Sequence, residues 1–179
     1  MPARRTNHRA LQAVIFDLDG VVADSHPIHE IAWTRLFLER GLDRAKLNLD
    51  FLYAGHPRRA ILRHYLGDLD VSDLETLGRR KDQLYAEAAT QLQPKPRIPE
   101  VIRQLNGDGI VCALATSAGR QRTYETLEKF GLIGEFAAIV TGEESDTPKP
   151  APAIFLLAAA DIMRLFGMLT TLQPDHHFV

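Results

Sequence analysis

Two kinds of apolar pattern divide the chain. Leu11 to Asp17, Ile110 to Thr116 and Phe136 to Thr141 are short, continuous runs rich in β-branched residues, the habit of strands buried on both faces of a parallel sheet. Between the second and third runs, Arg120 to Phe130 places Leu127 and Phe130 on one helical face and meets Gly131, a helix stop. Pro99, Val101, Ile102 and Leu105 mark a helix ahead of the second run, closed by the turn Asn106-Gly107-Asp108-Gly109. Alternation of this kind predicts an open, mostly parallel α/β sheet with right-handed crossovers.

Residues 25–96 follow a different rule, with helical spacing and no strand pattern. Ile28 to Arg40, Pro57 to Leu66 and Val71 to Leu92 carry apolar residues three or four apart, punctuated by Gly41, Gly67 and Pro94. The expected organisation is therefore an α/β core formed by residues 1–24 and 97–179, with an all-helical cap, 25–96, inserted after the first strand. Ala151 to Leu169 is the longest apolar segment, but Asp161 and Arg164 interrupt it, so it reads as a helix packed on the sheet and not as a membrane span.

The first strand ends in Asp17 and Asp19, with Gly20 behind them. Acids at the end of a buried strand are costly unless a cation or a reacting group uses them. At about 4 Å and an effective dielectric near 20, two such charges repel by roughly 4 kcal/mol, which asks for a divalent metal. Hard oxygen donors suit Mg²⁺. In open α/β sheets ligands bind beyond the carboxyl ends of the strands, where Asp17, Asp19, Thr116 and Ser117 all fall, and the cap is expected to act there as a lid.

Composition narrows the setting. The chain has 179 residues, a net charge of -2 and no charge-based reason to bind nucleic acid or an anionic membrane. Cys112, the single cysteine, excludes an intrachain disulfide and, flanked by Val111 and Ala113, reads as a small core residue in a reducing, cytoplasmic setting. The first ten residues carry Arg4, Arg5, His8 and Arg9 without the apolar stretch of a secretory signal and are expected to form a loose leader.

Four motifs in order, Phe16-Asp17-Leu18-Asp19-Gly20-Val21, His29 with Trp33, Ala115-Thr116-Ser117, and Lys149-Pro150-Ala151-Pro152, give the chain a specific likeness. It resembles the haloacid dehalogenase superfamily hydrolases with a helical cap, in the branch of β-phosphoglucomutase and phosphoglycolate phosphatase. That resemblance implies a Rossmann-like core and Mg²⁺-dependent hydrolysis of a small phosphorylated metabolite. It implies that Asp17 attacks phosphorus, that Asp19 serves as acid and then base, and that Mg²⁺ is held by Asp17 and the Asp19 carbonyl. Thr116 and Ser117 would hold phosphate oxygens and Lys149 would pair with Asp17. Arg58, Lys81 and His29 would contact substrate, although for Arg58 and Lys81 a solvated helix face is the plainer expectation, and for Trp33 cap packing.

The pattern departs after Ala160. Relatives continue to a further core strand ending in an acidic pair; here Asp161 to Val179 holds no Glu-Asp pair after an apolar run, so the last core strands are expected to be missing or replaced. One substitute is a short strand from Phe166 to Leu172 that carries Asp175 to the cleft; Asp175-His176-His177 also suggests a transition-metal site, but adjacent histidines at a terminus are usually disordered. Without it, Mg²⁺ loses a carboxylate and the strand bearing Asp17 stands as an open apolar edge, prone to self-association. Two other activities stay open beside phosphatase: a sugar phosphate mutase, and an inactive relative that binds a partner.

Overall fold

The computed structural model describes residues 11–53 and 56–171. In chain order its elements are β1 (Ala13–Phe16), α1 (His26–Glu39), α2 (Asp50–Tyr53), α3 (Arg58–Leu66), α4 (Val71–Ala88), α5 (Ile98–Gly107), β2 (Val111–Ala115), α6 (Arg120–Phe130), β3 (Ala138–Val140) and α7 (Ala153–Thr171). The chain divides into two compact units, one of them Asp24–Gln93 and the other formed by the residues before and after it.

The outer-segment unit is the α/β one. Its sheet has the order β1-β2-β3, all parallel, with Ala13 opposite Val111, Phe16 opposite Leu114 and Ala115 opposite Val140. β1 lies at the edge of this order among the described residues. β2 is the central strand and its Cys112, Ala113, Leu114 and Ala115 are all buried. Such small and apolar side chains let helices approach the sheet closely. Ile154, Ala158 and Ile162 on α7, four residues apart, form the buried stripe that seats this helix; Ile154 and Ala158 join Ala115 and Val140 in one core cluster.

α7 corrects one expectation. Residues 166–171 are helical, so the substitute strand from Phe166 to Leu172 does not form. Once Ile154, Ala158 and Ile162 commit the segment to a period near four, extending the helix satisfies each next backbone group locally, and Gly167 costs only about 1 kcal/mol within it. Asp175, His176 and His177 lie outside the described residues. No described helix is long and apolar enough to cross a membrane.

The second unit is helical. α1 and α4 form its main pair, with Leu36 and Phe37 fully buried on α1 and Leu84 fully buried on α4. Arg80 spans the pair with two contacts to Glu39, 2.6 and 2.9 Å, and this guanidinium holds the Glu39 carboxyl below the usual carboxylate range. The pattern from Val71 to Leu92 is not one helix: α4 stops at Ala88 and a tight turn follows over Ala89–Gln91. The four-residue α2 has no counterpart in the periodicity; it is too short to show one.

Tight packing extends to the loops that follow β2 and β3. A Cβ placed on Gly142 would lie 2.5 Å from the Ser117 carbonyl oxygen and 3.0 Å from its carbon, so the two loops approach through a missing side chain. Gly142→Ala is expected to destabilise the protein by about 1–3 kcal/mol in denaturant unfolding, because a backbone and not a mobile side chain must move. Cys112 is 1% exposed and burial pushes its thiol up from the ordinary range. An aromatic disulfide reagent is therefore expected to modify Cys112 only as fast as the protein opens, and rapidly in denaturant.

Candidate active site

The carboxyl end of β1 delivers Asp17 immediately after the buried Phe16. Its Oδ1 accepts from the Leu18 backbone N–H at 2.8 Å and faces Lys149 Nζ at 3.0 Å. Both contacts fall on one oxygen, which leaves Oδ2 without a contact of this kind among the described residues. The two side chains are 31% and 26% exposed, so the pair is half-buried.

Lys149 reaches this position from the loop before α7. Its ammonium also donates to the Ala115 carbonyl at 3.2 Å, at the end of β2, and lies 4.6 Å from the centroid of the Phe155 ring. Phe155 packs in turn on the cluster of Ala115, Val140, Ile154 and Ala158. A charge from a loop far along the chain is thus fixed against the ends of two neighbouring strands by a carboxylate, a carbonyl and an aromatic face.

β2 continues into Thr116, which is 1% exposed, and Ser117, which is exposed. The Thr116 N–H is held by the Val140 carbonyl at 3.0 Å, and its Oγ1 accepts from the Ala118 N–H at 3.1 Å, so the hydroxyl hydrogen is left to donate. At the start of α6 the Arg120 N–H donates to Glu143 Oε1 at 3.0 Å. One first-turn amide of that helix is therefore taken by the protein's own carboxylate.

Asp19 sits differently. Arg122 on α6 grips its carboxylate with two parallel bonds, Nη1 to Oδ1 at 2.9 Å and Nη2 to Oδ2 at 2.7 Å. Nothing in the periodicity of Arg120 to Phe130 singles out Arg122, because a charge on a helix of mixed polarity carries no sign of which partner it faces.

The donors in this region are oxygens. Among the described residues no three His, Cys, Asp or Glu side chains gather. A carboxylate from Asp17 and a backbone carbonyl from Asp19 are the oxygens that would hold a metal ion here. Such a sparse hard set fits Mg²⁺, which keeps several waters and takes one or two carboxylates together with substrate phosphate.

The helical unit contains a cavity of about 230 Å³ lined by His29, Glu30, Trp33, Leu52, Arg58 and Lys81 among others. Lys81 departs from the expected solvated helix face: it is 5% exposed, with Nζ 2.9 Å from His29 Nδ1 and over the rings of Trp33 and Tyr85 at 5.6 and 4.9 Å. An ammonium can only donate, so a charged Lys81 pairs with the tautomer of His29 whose Nδ1 accepts. The signal was present in α4, where Leu74, Leu77, Lys81, Leu84 and Tyr85 share one face and are buried together. Arg58 is about half-exposed and paired with Asp82 at 2.8 and 3.0 Å, so its fork is already filled by a carboxylate. Trp33 is 5% exposed and stacks on Phe37, as cap packing requires. In the Gly55-His56-Pro57-Arg58 loop, Gly55 is outside the described residues and His56 stacks on Phe51.

The chain is similar to known proteins. The chain is 30% identical over 152 residues to a phosphorylated carbohydrates phosphatase of Thermotoga maritima, covering 82% of this chain and 68% of that protein. It is 30% identical over 161 residues to a β-phosphoglucomutase of Bacillus subtilis, covering 84% and 69%. Among solved structures, a hydrolase from Pseudomonas syringae superposes with a TM-score of 0.71 at 25% identity, over 86% of this chain and 70% of that one. A profile described as haloacid dehalogenase-like hydrolase matches residues 14–163. Strand-end acids, lysine loop and parallel sheet thus occur together within the matched region, and the chain belongs to the haloacid dehalogenase-like hydrolase family.

Proposed function

We propose that this chain is a Mg²⁺-dependent phosphatase that hydrolyses a small phosphate monoester through an aspartyl-phosphate on Asp17. The observation that carries the proposal is the Asp17–Lys149 contact of 3.0 Å at the ends of β1 and β2. The relatives named as phosphatases support the reaction class.

In this proposal Asp17 Oδ2, the oxygen outside the Leu18 and Lys149 contacts, bonds to phosphorus. The phosphorus–oxygen bond to the leaving group breaks as Asp19 gives a proton to the departing oxygen, yielding an alcohol and the aspartyl-phosphate. Asp19, now a carboxylate, takes a proton from water while the water oxygen bonds to phosphorus. The bond from Asp17 to phosphorus then breaks, inorganic phosphate leaves, and both acids return to their starting forms. Lys149 balances charge on the phosphoryl oxygens, and the Thr116 and Ser117 hydroxyls donate to them. Mg²⁺ held by Asp17 and the Asp19 carbonyl would offset the repulsion between an anionic nucleophile and an anionic ester.

A sugar phosphate mutase is the second reading. It is favoured by the buried Lys81–His29 contact beside the cavity of the helical unit, whose cations suit an anionic group, and by the β-phosphoglucomutase among the relatives. Product analysis with a hexose 1-phosphate separates the two, since a phosphatase yields free sugar and phosphate, and a mutase yields the 6-phosphate isomer.

The wild type is expected to release phosphate from an aryl phosphate, to lose this on chelation, and to regain it with added Mg²⁺. Asp17→Asn is expected to lower the rate by about a thousandfold or more, as removal of a nucleophile does. Equal release by the two proteins would contradict the mechanism, and no release by either would favour an inactive, partner-binding relative.

A further inference from the structure

Asp19 and Arg122 lie 103 positions apart and meet in the two-bond fork already described. The pair is not a loose surface contact, because the side chains are only 28% and 29% exposed. By comparison Arg120, two residues earlier, is 54% exposed and makes a single 3.2 Å pairing with Glu144.

The platform under Arg122 is fixed. Thr123, 0% exposed, returns both its N–H and its hydroxyl to the Gly119 carbonyl, at 3.0 and 2.9 Å. Glu143 holds the neighbouring Arg120 N–H at 3.0 Å from the loop after β3. The guanidinium therefore projects from a helix start tied down on two sides, whereas Asp19 follows a strand end through a glycine-bounded turn with Gly20 at φ 78°. An aspartate in such a turn has a broad, two-fold terminal torsion and does not orient itself. A planar fork does orient it, and a lysine at the same place would supply charge without a plane.

We propose that Arg122 is the positioning residue for Asp19, setting the plane of the carboxyl group that serves the leaving-group oxygen. The fork takes one acceptor site on each carboxylate oxygen and so fixes the plane in which the carboxyl group lies. This inference rests on the phosphatase reading of Asp17 and Asp19, and Arg122 itself touches neither substrate nor reacting atoms.

The test compares two substrates in the wild type, Arg122→Gln and Arg122→Lys, all checked for folding by circular dichroism and thermal unfolding. An alkyl phosphate needs a proton on its poor leaving group, whereas dinitrophenyl phosphate needs almost none. Arg122→Gln is expected to slow first-turnover release of the alcohol from the alkyl phosphate by about 10- to 100-fold, part of what a positioned general acid supplies, with KM changed less than about threefold and the first-turnover burst of dinitrophenol nearly retained. Arg122→Lys is expected to show the same bias with a smaller loss; if the glutamine variant does not fold, the lysine variant decides alone. Equal losses in the first turnover of both substrates, or no loss, in an enzyme that remains Asp17-dependent would overturn the role of Arg122 and leave the phosphatase reading standing. A wild type with no Asp17-dependent release on either substrate would overturn that reading and the inference with it.

Discussion

Two carboxylates two residues apart at the end of one strand repel each other, and the core unit answers each with a different cation. Lys149 meets Asp17 at 3.0 Å and Arg122 meets Asp19 at 2.7 and 2.9 Å. The two cations differ in kind. A compact ammonium that touches one oxygen leaves the other free to react, whereas a planar fork engages both oxygens and fixes orientation. The same strand end thus holds one acid with an oxygen outside its cation's contact and one held in a set plane, without any difference in the residue type.

Those cations arrive from distant parts of the chain because the sheet is parallel. Each crossover returns the chain to the same end, so the segments after β1, β2 and β3 are neighbours there. Packing then does the fine placement. Phe155 on α7 lies under the Lys149 ammonium and rests on the core cluster at the ends of β2 and β3. Gly142 lets the loop after β3 press on the Ser117 backbone, and Glu143 from that loop secures the start of α6.

The strands and the acids were legible because buried parallel strands are written as unbroken apolar runs and a charged residue ending such a run has few structural explanations. Arg120 to Phe130 was legible to the residue because Gly131, at φ 64°, takes the left-handed conformation that closes a helix. Arg122 was not, since its partner is a tertiary fact with no local period. Lys81 was misjudged for a different reason. Inside Arg79-Arg80-Lys81 it looks like one of three solvated cations, yet a helix separates consecutive residues by about 100°, and only Lys81 falls on the Leu77–Leu84 face. The segment after Ala160 shows the limit of short apolar runs, which strand and helix share until a longer period, here Ile154, Ala158 and Ile162, decides between them.

Covalent bonding of the Asp17 side chain to phosphorus is open to chemical trapping. It is tested most directly by quenching the protein during turnover of a phosphate monoester with borohydride, which reduces an acyl phosphate to an alcohol, and locating the altered residue by peptide mass spectrometry. The account predicts conversion of Asp17 to homoserine, dependent on substrate and absent at Asp19. Rapid phosphate release with Asp17 unaltered, or with the alteration at another carboxylate, would contradict it.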